Sequence, residues 1–274
     1  METFVLKILF TIQGIGAASG LIYNDDALYI ISDNSNYLYT YSINREQLDT
    51  ILMMNRSVNV QVPKKRKADF EATTLIDGTV HIFGSGSSPR RNLSVRYDSA
   101  TRNIEQLNMR KVYASIRKQY AIDKADFNIE GALMTKGELW LFNRGNGPQS
   151  LNGIIVLDGN SMVPKAFHPV SLPELNDVQL GFTDAILVED KVYFIAAAEG
   201  SNSVYDDGEI QGTILGRLDP TTMQVEYRKL ISSTHKFEGI TLFQKTASRL
   251  EFLLCEDPDN DAPESQIYHL QLER

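Results

Sequence analysis

The sequence predicts an all-β protein, a five-bladed β-propeller in which residues 1–274 form a single domain. Three observations lead to this prediction: a motif that recurs five times, three or four short strands after each copy of it, and a strand at the start of the chain that belongs to no repeat. Self-similarity at a period of roughly 50 residues is typical of propeller blades.

The repeated motif is an acidic or polar residue followed by a short apolar run. We align the five copies on their acidic position, which is a serine in the first copy. Successive anchors are 52, 59, 54 and 54 residues apart, and they are Ser19, Glu71, Glu130, Asp184 and Glu238.

Each anchor begins a series of β-strand patterns. The second strand of the first repeat, residues 27–31, is apolar and aromatic, and its counterparts in the other repeats have the same character. A third strand recurs in all five repeats, and a fourth in repeats one to four, for example residues 224–230. The fifth repeat has no room for a fourth strand. We therefore expect residues 3–10 to complete the last blade and to close the ring, because an open ring would leave edge strands unpaired.

One segment departs from this pattern. Val112, Ile116 and Tyr120 are apolar and recur at intervals of four residues, which is helical spacing. The sequence predicts one short helix between blades two and three.

Composition excludes several classes of function. The 274 residues contain 27 Lys and Arg against 35 Asp and Glu, and a net charge of −8 argues against a nucleic-acid partner. The single cysteine, Cys255, excludes an internal disulfide and a multi-cysteine zinc site.

No apolar run reaches the ~18–20 residues that span a bilayer, so no membrane partner is expected. Glu2 and Lys7 interrupt a signal-peptide pattern, which favours a cytoplasmic protein, and a secreted form with a different N-terminus stays open.

The functional site is expected at one end of the propeller axis. In an antiparallel hairpin, the start of the first strand lies beside the end of the second. Because the innermost strand of each blade lines the axis, the five anchors should surround one mouth of the channel. Long polar loops open onto the same face, and function concentrates on such loops.

Several carboxylates at one mouth need a compensating charge. Calcium or magnesium could supply it, with Glu71, Glu130, Asp184 and Glu238 as metal ligands and Asp33 beside them. Internal ion pairs are the alternative, with cations drawn from Lys67, Lys124, Arg144, Lys236, Arg90 and Arg91. A third interpretation needs no cation, because each anchor carboxylate could accept backbone N–H groups of the neighbouring blade.

The same mouth holds candidates for binding and catalysis. Arg90 and Arg91 follow the small residues around Ser85, a composition that suits a phosphate or carboxylate ligand, so a small anionic molecule is the expected partner. Asn146 and Asp33 are further ligand-binding candidates. The catalytic candidates are His235 and Glu130 for proton transfer and Arg144 for anion binding. No nucleotide or dinucleotide motif is present, so no organic cofactor is expected.

The blade starts Phe237-Glu-Gly-Ile and Ile129-Glu-Gly-Ala resemble those of the esterase-like phytase propellers and of related, mostly uncharacterised bacterial propeller proteins. The resemblance implies a propeller with an acidic, Ca²⁺-binding mouth that acts on phosphate esters. Ser19 and Ala198 depart from the acidic pattern, which argues against a complete metal ring.

Two functions from different classes follow. The first is a metal-assisted hydrolase of phosphate or other esters, in which a bound cation polarises the substrate oxygen. The second is a non-catalytic propeller that binds a small ligand or a protein partner of unknown identity through the same mouth.

Overall fold

The computed structural model describes residues 3–56, 58–200, 208–258 and 262–273, and these form a five-bladed β-propeller, as predicted. The strands alternate with short turns and loops along the chain. In order, they are β1 (Phe4–Gln13), β2 (Ala18–Asn24), β3 (Ala27–Ser32), β4 (Tyr37–Ser42), β5 (Gln47–Leu52), β6 (Phe70–Ile76), β7 (Thr79–Gly84), β8 (Leu93–Asp98), β9 (Ile104–Asn108), β10 (Ile129–Thr135), β11 (Glu138–Asn143), β12 (Gly153–Asp158), β13 (Pro164–Pro169), β14 (Glu174–Leu175), β15 (Val178–Val188), β16 (Lys191–Glu199), β17 (Ile210–Leu218), β18 (Val225–Ser232), β19 (Phe237–Lys245), β20 (Arg249–Glu256) and β21 (Glu264–Glu273).

Each blade is one antiparallel sheet. Blade 1 contains β2–β5, blade 2 contains β6–β9, blade 3 contains β10–β13, and blade 4 contains β14–β18. Blade 5 contains β19–β21 and, at its outer edge, β1. The inner strands β2, β6, β10, β15 and β19 contact one another in a ring around the axis.

The first strand of the chain closes the ring, as predicted. β1 pairs antiparallel with β21, from Phe4 opposite Leu272 to Gln13 opposite Glu264. The last blade therefore contains the usual four strands, and its outer strand comes from the opposite end of the sequence.

The hydrophobic core is divided into five clusters, one between each pair of neighbouring blades. Between blades 3 and 4, for example, the rings of Phe142 and Phe182 meet edge to face with centroids 5.3 Å apart. Burying a side chain of this size stabilises the fold by roughly 1.5–3 kcal/mol. Since every cluster takes side chains from two blades, no blade has a complete core of its own.

The predicted helix is present as α1 (Arg110–Tyr120), between blades 2 and 3. Tyr113 is buried on its inner face, and its hydroxyl donates to the Gly84 carbonyl at 2.9 Å. Gly86 is required beneath this ring, because its φ is +76° and a Cβ there would lie 2.5 Å from Phe127. Two 3-10 turns, Pro89–Arg91 and Lys124–Asp126, flank the same region. Within the described ranges, no helix is long and apolar enough to cross a membrane.

Blade 4 carries one strand more than the repeat pattern predicts. The two-residue strand β14 pairs with the start of β15 and forms a small hairpin on the axial side of the blade. Its turn residues Asn176 and Asp177 have φ values of +49° and +63°, as a two-residue turn between antiparallel strands requires. The hairpin extends over the mouth of the propeller.

We expect ring closure to depend on the buried face of β1. Ile12 is 1% exposed and belongs to the cluster between blades 5 and 1, whereas Ile8 on the same strand is 53% exposed. Ile12→Ala should lower the free energy of unfolding by about 2–5 kcal/mol. The matched control Ile8→Ala should change it by less than about 1 kcal/mol. Urea unfolding followed by tryptophan fluorescence measures both, and equal losses would contradict this account of closure.

Candidate functional site

A β-bulge lies at the mouth end of every inner strand. The register with the second strand of the blade shifts by one residue at the same point in all five repeats. A bulge places two residues opposite one and redirects a side chain. The bulged residues are Ser19, Glu71, Glu130, Thr183 and Glu238.

The bulge corrects the alignment of the fourth repeat. The residue equivalent to the other anchors is Thr183, and Asp184 is one position further along the strand. The carboxylate of Asp184 accepts the backbone N–H groups of Ala185 at 2.8 Å and Ile240 at 2.9 Å, so it joins blade 4 to blade 5. Asp184 does not line the axial cavity, and its predicted role as a metal ligand has no basis in this geometry. Thr183 bonds across the same boundary, to the carbonyl of Phe237 at 2.7 Å.

The mouth opens into an axial cavity of about 930 Å³ that residues of all five blades line. Charged side chains dominate the described part of its wall, with nine carboxylates and five cations. The carboxylates belong to Asp33, Asp69, Glu71, Glu130, Glu174, Asp177, Glu199, Glu238 and Asp257, and the cations to Lys64, Lys67, Arg91, Arg144 and Lys236.

The first group of ion pairs lies between blades 1 and 2. Lys67 Nζ contacts the carboxylate of Asp33 and lies 2.9 Å from that of Asp69. Asp69 also pairs with Arg91 at 2.7 Å and accepts the Ser85 hydroxyl at 2.5 Å. Burial alone would lower the pKa of the Lys67 ammonium, but the two carboxylates raise it above its ordinary value. Lys67 therefore stays charged in the wall of the cavity.

The second group lies between blades 3 and 5. Arg144 reaches Glu130 at 3.9 Å and Glu199 at 3.1 Å, and Lys236 reaches Glu199 at 3.1 Å. Burial would raise the pKa of Glu199, but Lys236 and Arg144 lower it to about 2, so this carboxylate is ionised at neutral pH. The backbone of Gly181 makes room for Arg144, because a Cβ at Gly181 would lie 2.5 Å from the Arg144 side chain.

Glu130 and Glu238 are the two bulge glutamates of this second group: Glu130 pairs with Arg144, Glu238 pairs with Lys236, and the charge of Glu238 acts on Glu130. Burial raises the pKa of Glu130 to about 8, with Arg144 opposing the shift and Glu238 adding to it. Asn128 donates to one Glu130 oxygen. Burial also raises the pKa of Glu238, while Lys236 at 2.9 Å favours its ionised form. Two interacting carboxyl groups with unequal environments share protons unequally, so at neutral pH Glu130 is mainly protonated.

Glu71 differs from the other bulge glutamates. Its side chain is half-buried at the cavity wall and makes no hydrogen bond or ion pair with any residue in the described ranges. Burial raises its pKa well above the ordinary value, and the nearby charges of Asp69, Glu130 and Asp33 raise it further. The surroundings of Glu71 therefore favour the protonated form of its carboxyl group.

One acidic cluster could hold a metal ion. Asp33, Asp69 and Glu71 each offer a carboxylate oxygen, and these oxygens lie within 4.8 Å of one another. Oxygen ligands of this kind suit Ca²⁺ or Mg²⁺. Lys67 already contacts two of the three carboxylates, so an entering cation would displace its ammonium group. Of the four predicted ligands, only Glu71 belongs to this cluster, since Glu130 and Glu238 pair with Arg144 and Lys236.

The remaining predicted residues divide between the cavity and its surroundings. Asn146 lines the cavity and accepts a hydrogen bond from Asn128 at 3.3 Å. Ser85 is buried behind the wall. Arg90 points away from the axial cavity, and Lys124 is exposed on the surface. His235 also lies outside the lining, where it bonds Ser232 at 2.7 Å and stacks on Phe237.

Sequence reasoning missed two parts of the site. Glu199 was not recognised as the carboxylate between Arg144 and Lys236, because only the fold brings blades 3, 4 and 5 together at this point. The β14–β15 hairpin contributes Glu174, Asp177 and Gln179 to the lining. Its Asn176-Asp177 step was an available turn signal.

Removing Lys67 tests whether an ammonium group takes the place of a metal. Lys67→Met leaves buried carboxylates unpaired and should lower the melting temperature by about 10 °C in EDTA. Excess Ca²⁺ should then restore about 2–3 kcal/mol of the variant's free energy of unfolding. The same Ca²⁺ concentration should change the melting temperature of the unmodified protein by less than about 2 °C. The control is Lys191→Met, which removes an ammonium group that bridges Asp219 and Glu226 on the surface. Because surface ion pairs contribute little to stability, this variant should have nearly the melting temperature of the unmodified protein. A large Ca²⁺ shift in the unmodified protein would show that a cation displaces Lys67.

The raised pKa of Glu130 makes stability depend on pH. In the unfolded chain this carboxyl ionises near its ordinary pKa of 4.5, but in the folded protein it keeps its proton to about pH 8. Its contribution to stability is therefore complete below about pH 4.5 and is lost progressively up to about pH 8, by at most ~1.4 kcal/mol per pH unit. Glu130→Gln removes this dependence. The melting temperature of the variant relative to the unmodified protein should rise between pH 5 and pH 8, and a constant difference would contradict the assignment.

Known structures of very different sequence share this fold. The glutaminyl cyclase of Myxococcus xanthus aligns with a TM-score of 0.58 and 10% identity over 98% of this chain and 97% of its own. An exo-1,5-α-L-arabinanase from a bovine ruminal metagenomic library aligns with a TM-score of 0.52 and 14% identity over 93% of each chain. Bacteroides ovatus xyloglucan PUL GH43B aligns with a TM-score of 0.57 and 13% identity, over 94% of this chain and 52% of its own. At such identities the likeness shows the fold alone.

Sequence comparison identifies the family. No sequence among the curated proteins matches the chain. A family model matches residues 14–272, which include the inner strands of all five blades and the whole of the axial site but not β1. The chain belongs to the family of unknown function DUF6929.

Proposed function

We propose that the protein is a hydrolase whose reaction takes place in the axial cavity, with Glu130 as the general acid. The observation that carries this proposal is the unequal surroundings of two buried carboxyl groups: burial raises the pKa of Glu130 to about 8, whereas Lys236 at 2.9 Å from Glu238 opposes the upward effect of burial on the pKa of Glu238. Two carboxyl groups whose environments separate their protonation states are typical of acid–base catalysis.

In this mechanism Glu130 donates its proton to the leaving-group oxygen as the bond to that oxygen breaks. Glu238 takes a proton from the water that attacks the substrate. The products are an alcohol and a hydrolysed acyl, phosphoryl or glycosyl group, and the proton on Glu238 then returns to Glu130 through solvent. Asn128 and Arg144 hold Glu130 in place, and Glu199 keeps the Arg144 and Lys236 side chains at the cavity wall.

The charge of the cavity restricts the substrate. Nine carboxylates and five cations line the described wall, and its two arginines, Arg91 and Arg144, are each in ion pairs with carboxylates. This wall suits an uncharged polar substrate better than a free phosphate. A phosphate ester, which the resemblance to phytase propellers implies, would need a divalent cation. Asp33, Asp69 and Glu71 would hold that cation, and it would polarise a substrate oxygen.

A panel of 4-nitrophenyl compounds tests the proposal. It includes an acetate ester, a phosphate monoester and an α-L-arabinofuranoside, each with EDTA and with Ca²⁺ or Mg²⁺. The arabinoside is included because an arabinanase has the same fold. Glu130→Gln should reduce kcat by about 10²–10⁴-fold. In the unmodified protein, kcat/KM should fall above about pH 8 as Glu130 loses its proton.

The control variant is Glu105→Gln, which neutralises an exposed glutamate on β9 and should keep full activity. Loss of activity in a variant whose melting temperature at the assay pH is not lowered would place the effect of Glu130→Gln in the chemistry. Activity that survives Glu130→Gln would overturn the role of Glu130.

A binding function without catalysis is the second candidate. It is favoured by the position of His235 outside the cavity and by the ion pairs that Arg91 and Arg144 already make. If every compound of the panel is inert, with and without a divalent cation, this second function takes precedence.

A further inference from the structure

A second cavity lies beside the mouth of the propeller. Its volume is about 440 Å³, and its described lining consists of three arginines, Arg56, Arg66 and Arg90, with Val58 and Val62. Val62 also lines the axial cavity, so the two cavities adjoin. Their charges are opposite, since no carboxylate lines the described part of the second one.

The three guanidinium groups lack carboxylate partners among the residues that the structure describes. Arg56 donates from Nη1 to the backbone carbonyl of Arg66 at 2.8 Å, which holds the two arginines next to each other. Arg90 and Arg91 are consecutive, but the Pro89–Arg91 turn sends them in different directions. Arg91 is buried against Asp69, and Arg90 lines the second cavity.

The second cavity lies in a strongly basic segment of an acidic chain. Residues 56–118 contain 13 Lys and Arg and only five Asp and Glu, a surplus of eight positive charges in a chain whose net charge is −8. The rest of the chain thus has a surplus of sixteen negative charges. Carboxylates are abundant elsewhere in the molecule, yet none is placed against these three arginines in the described structure.

The walls of the second cavity are held by backbone hydrogen bonds. The N–H of Val62 donates to the Asn34 carbonyl at 2.8 Å, and the Asn36 side chain donates to the Val58 carbonyl at 2.9 Å. The Asn59 side chain accepts the N–H of Arg56 at 3.1 Å. These hydrogen bonds attach the loop between β5 and β6 to the loop after β3. They therefore hold the backbone of the loop that carries Arg56 and Arg66.

We propose that this second cavity is a binding site for the oxyanion group, phosphate or carboxylate, of a small molecule. Guanidinium groups bind planar carboxylates and phosphates through paired N–H donors, and three of them surround one space. The valines offer an apolar surface for the carbon part of the ligand. The site does not depend on catalysis in the axial cavity, so its test is separate from that of the proposed function.

Binding of inorganic phosphate tests the site. Isothermal titration in chloride buffer at constant ionic strength should show saturable phosphate binding, and phenyl phosphate should bind more tightly because its ring contacts Val58 and Val62. Acetate and benzoate, titrated in the same way, distinguish a carboxylate ligand from a phosphate ligand. Arg66→Gln and Arg90→Gln should each lower the affinity for the preferred ligand by tenfold or more. Both side chains are exposed, so the folded state should tolerate either change.

The matched control is Arg110→Gln, which removes one exposed positive charge from the same basic segment at the start of α1. It should leave the affinity within about twofold of the unmodified value, as should Glu130→Gln in the axial cavity. Three results would overturn the proposal. The first is no binding of any of the four probes at millimolar concentration, and the second is an affinity in the Arg66 and Arg90 variants equal to that of the unmodified protein. The third is a loss of affinity in the Arg110 variant as large as the loss in the Arg66 and Arg90 variants.

Discussion

The structure depends on the fact that each hydrophobic cluster is shared by two blades. A blade presents one face to each neighbour, so five blades complete five clusters only when the ring is closed. The pairing of β1 with β21 supplies this closure. The inner strands then converge on one axis, and the bulges at their mouth ends direct Glu71, Glu130 and Glu238 toward a common space. The axial site is thus a consequence of closure, because no single blade contains it.

Convergence of acidic side chains is costly, and the protein offsets this cost in two ways. Lys67, Arg91, Arg144 and Lys236 are held among the carboxylates, where they neutralise part of the charge. In addition, Glu130 keeps its proton at neutral pH because burial disfavours the charged form, and burial also raises the pKa of Glu71. The second response leaves the cavity with a proton donor at neutral pH. The electrostatic requirement of folding and the acid chemistry that we propose therefore have the same physical origin.

The sequence was sufficient to predict the blades, the closing strand, the helix between blades 2 and 3, and the mouth that carries the polar groups. Apolar periodicity and regular spacing are local signals, and these elements follow from them. The details of the site do not. An alignment of the repeats on their acidic position selects Asp184, whereas the bulge, which follows backbone register, falls at Thr183. Arg90 and Arg91 looked alike in sequence, but a 3-10 turn separates their side chains. Glu199 joins Arg144 and Lys236 only after three blades have packed together.

The pairing of Phe4 with Leu272 has a consequence for how such a chain can vary. Because β1 pairs with β21 within blade 5, the first and last strands of the propeller are neighbours in space. The five interfaces between blades do not require this junction to lie in blade 5. A sequence that begins at the turn between two strands of another blade, on the face away from the mouth, would encode the same interfaces and the same axial cavity. The order of the blades along the chain is therefore less constrained than their order around the axis.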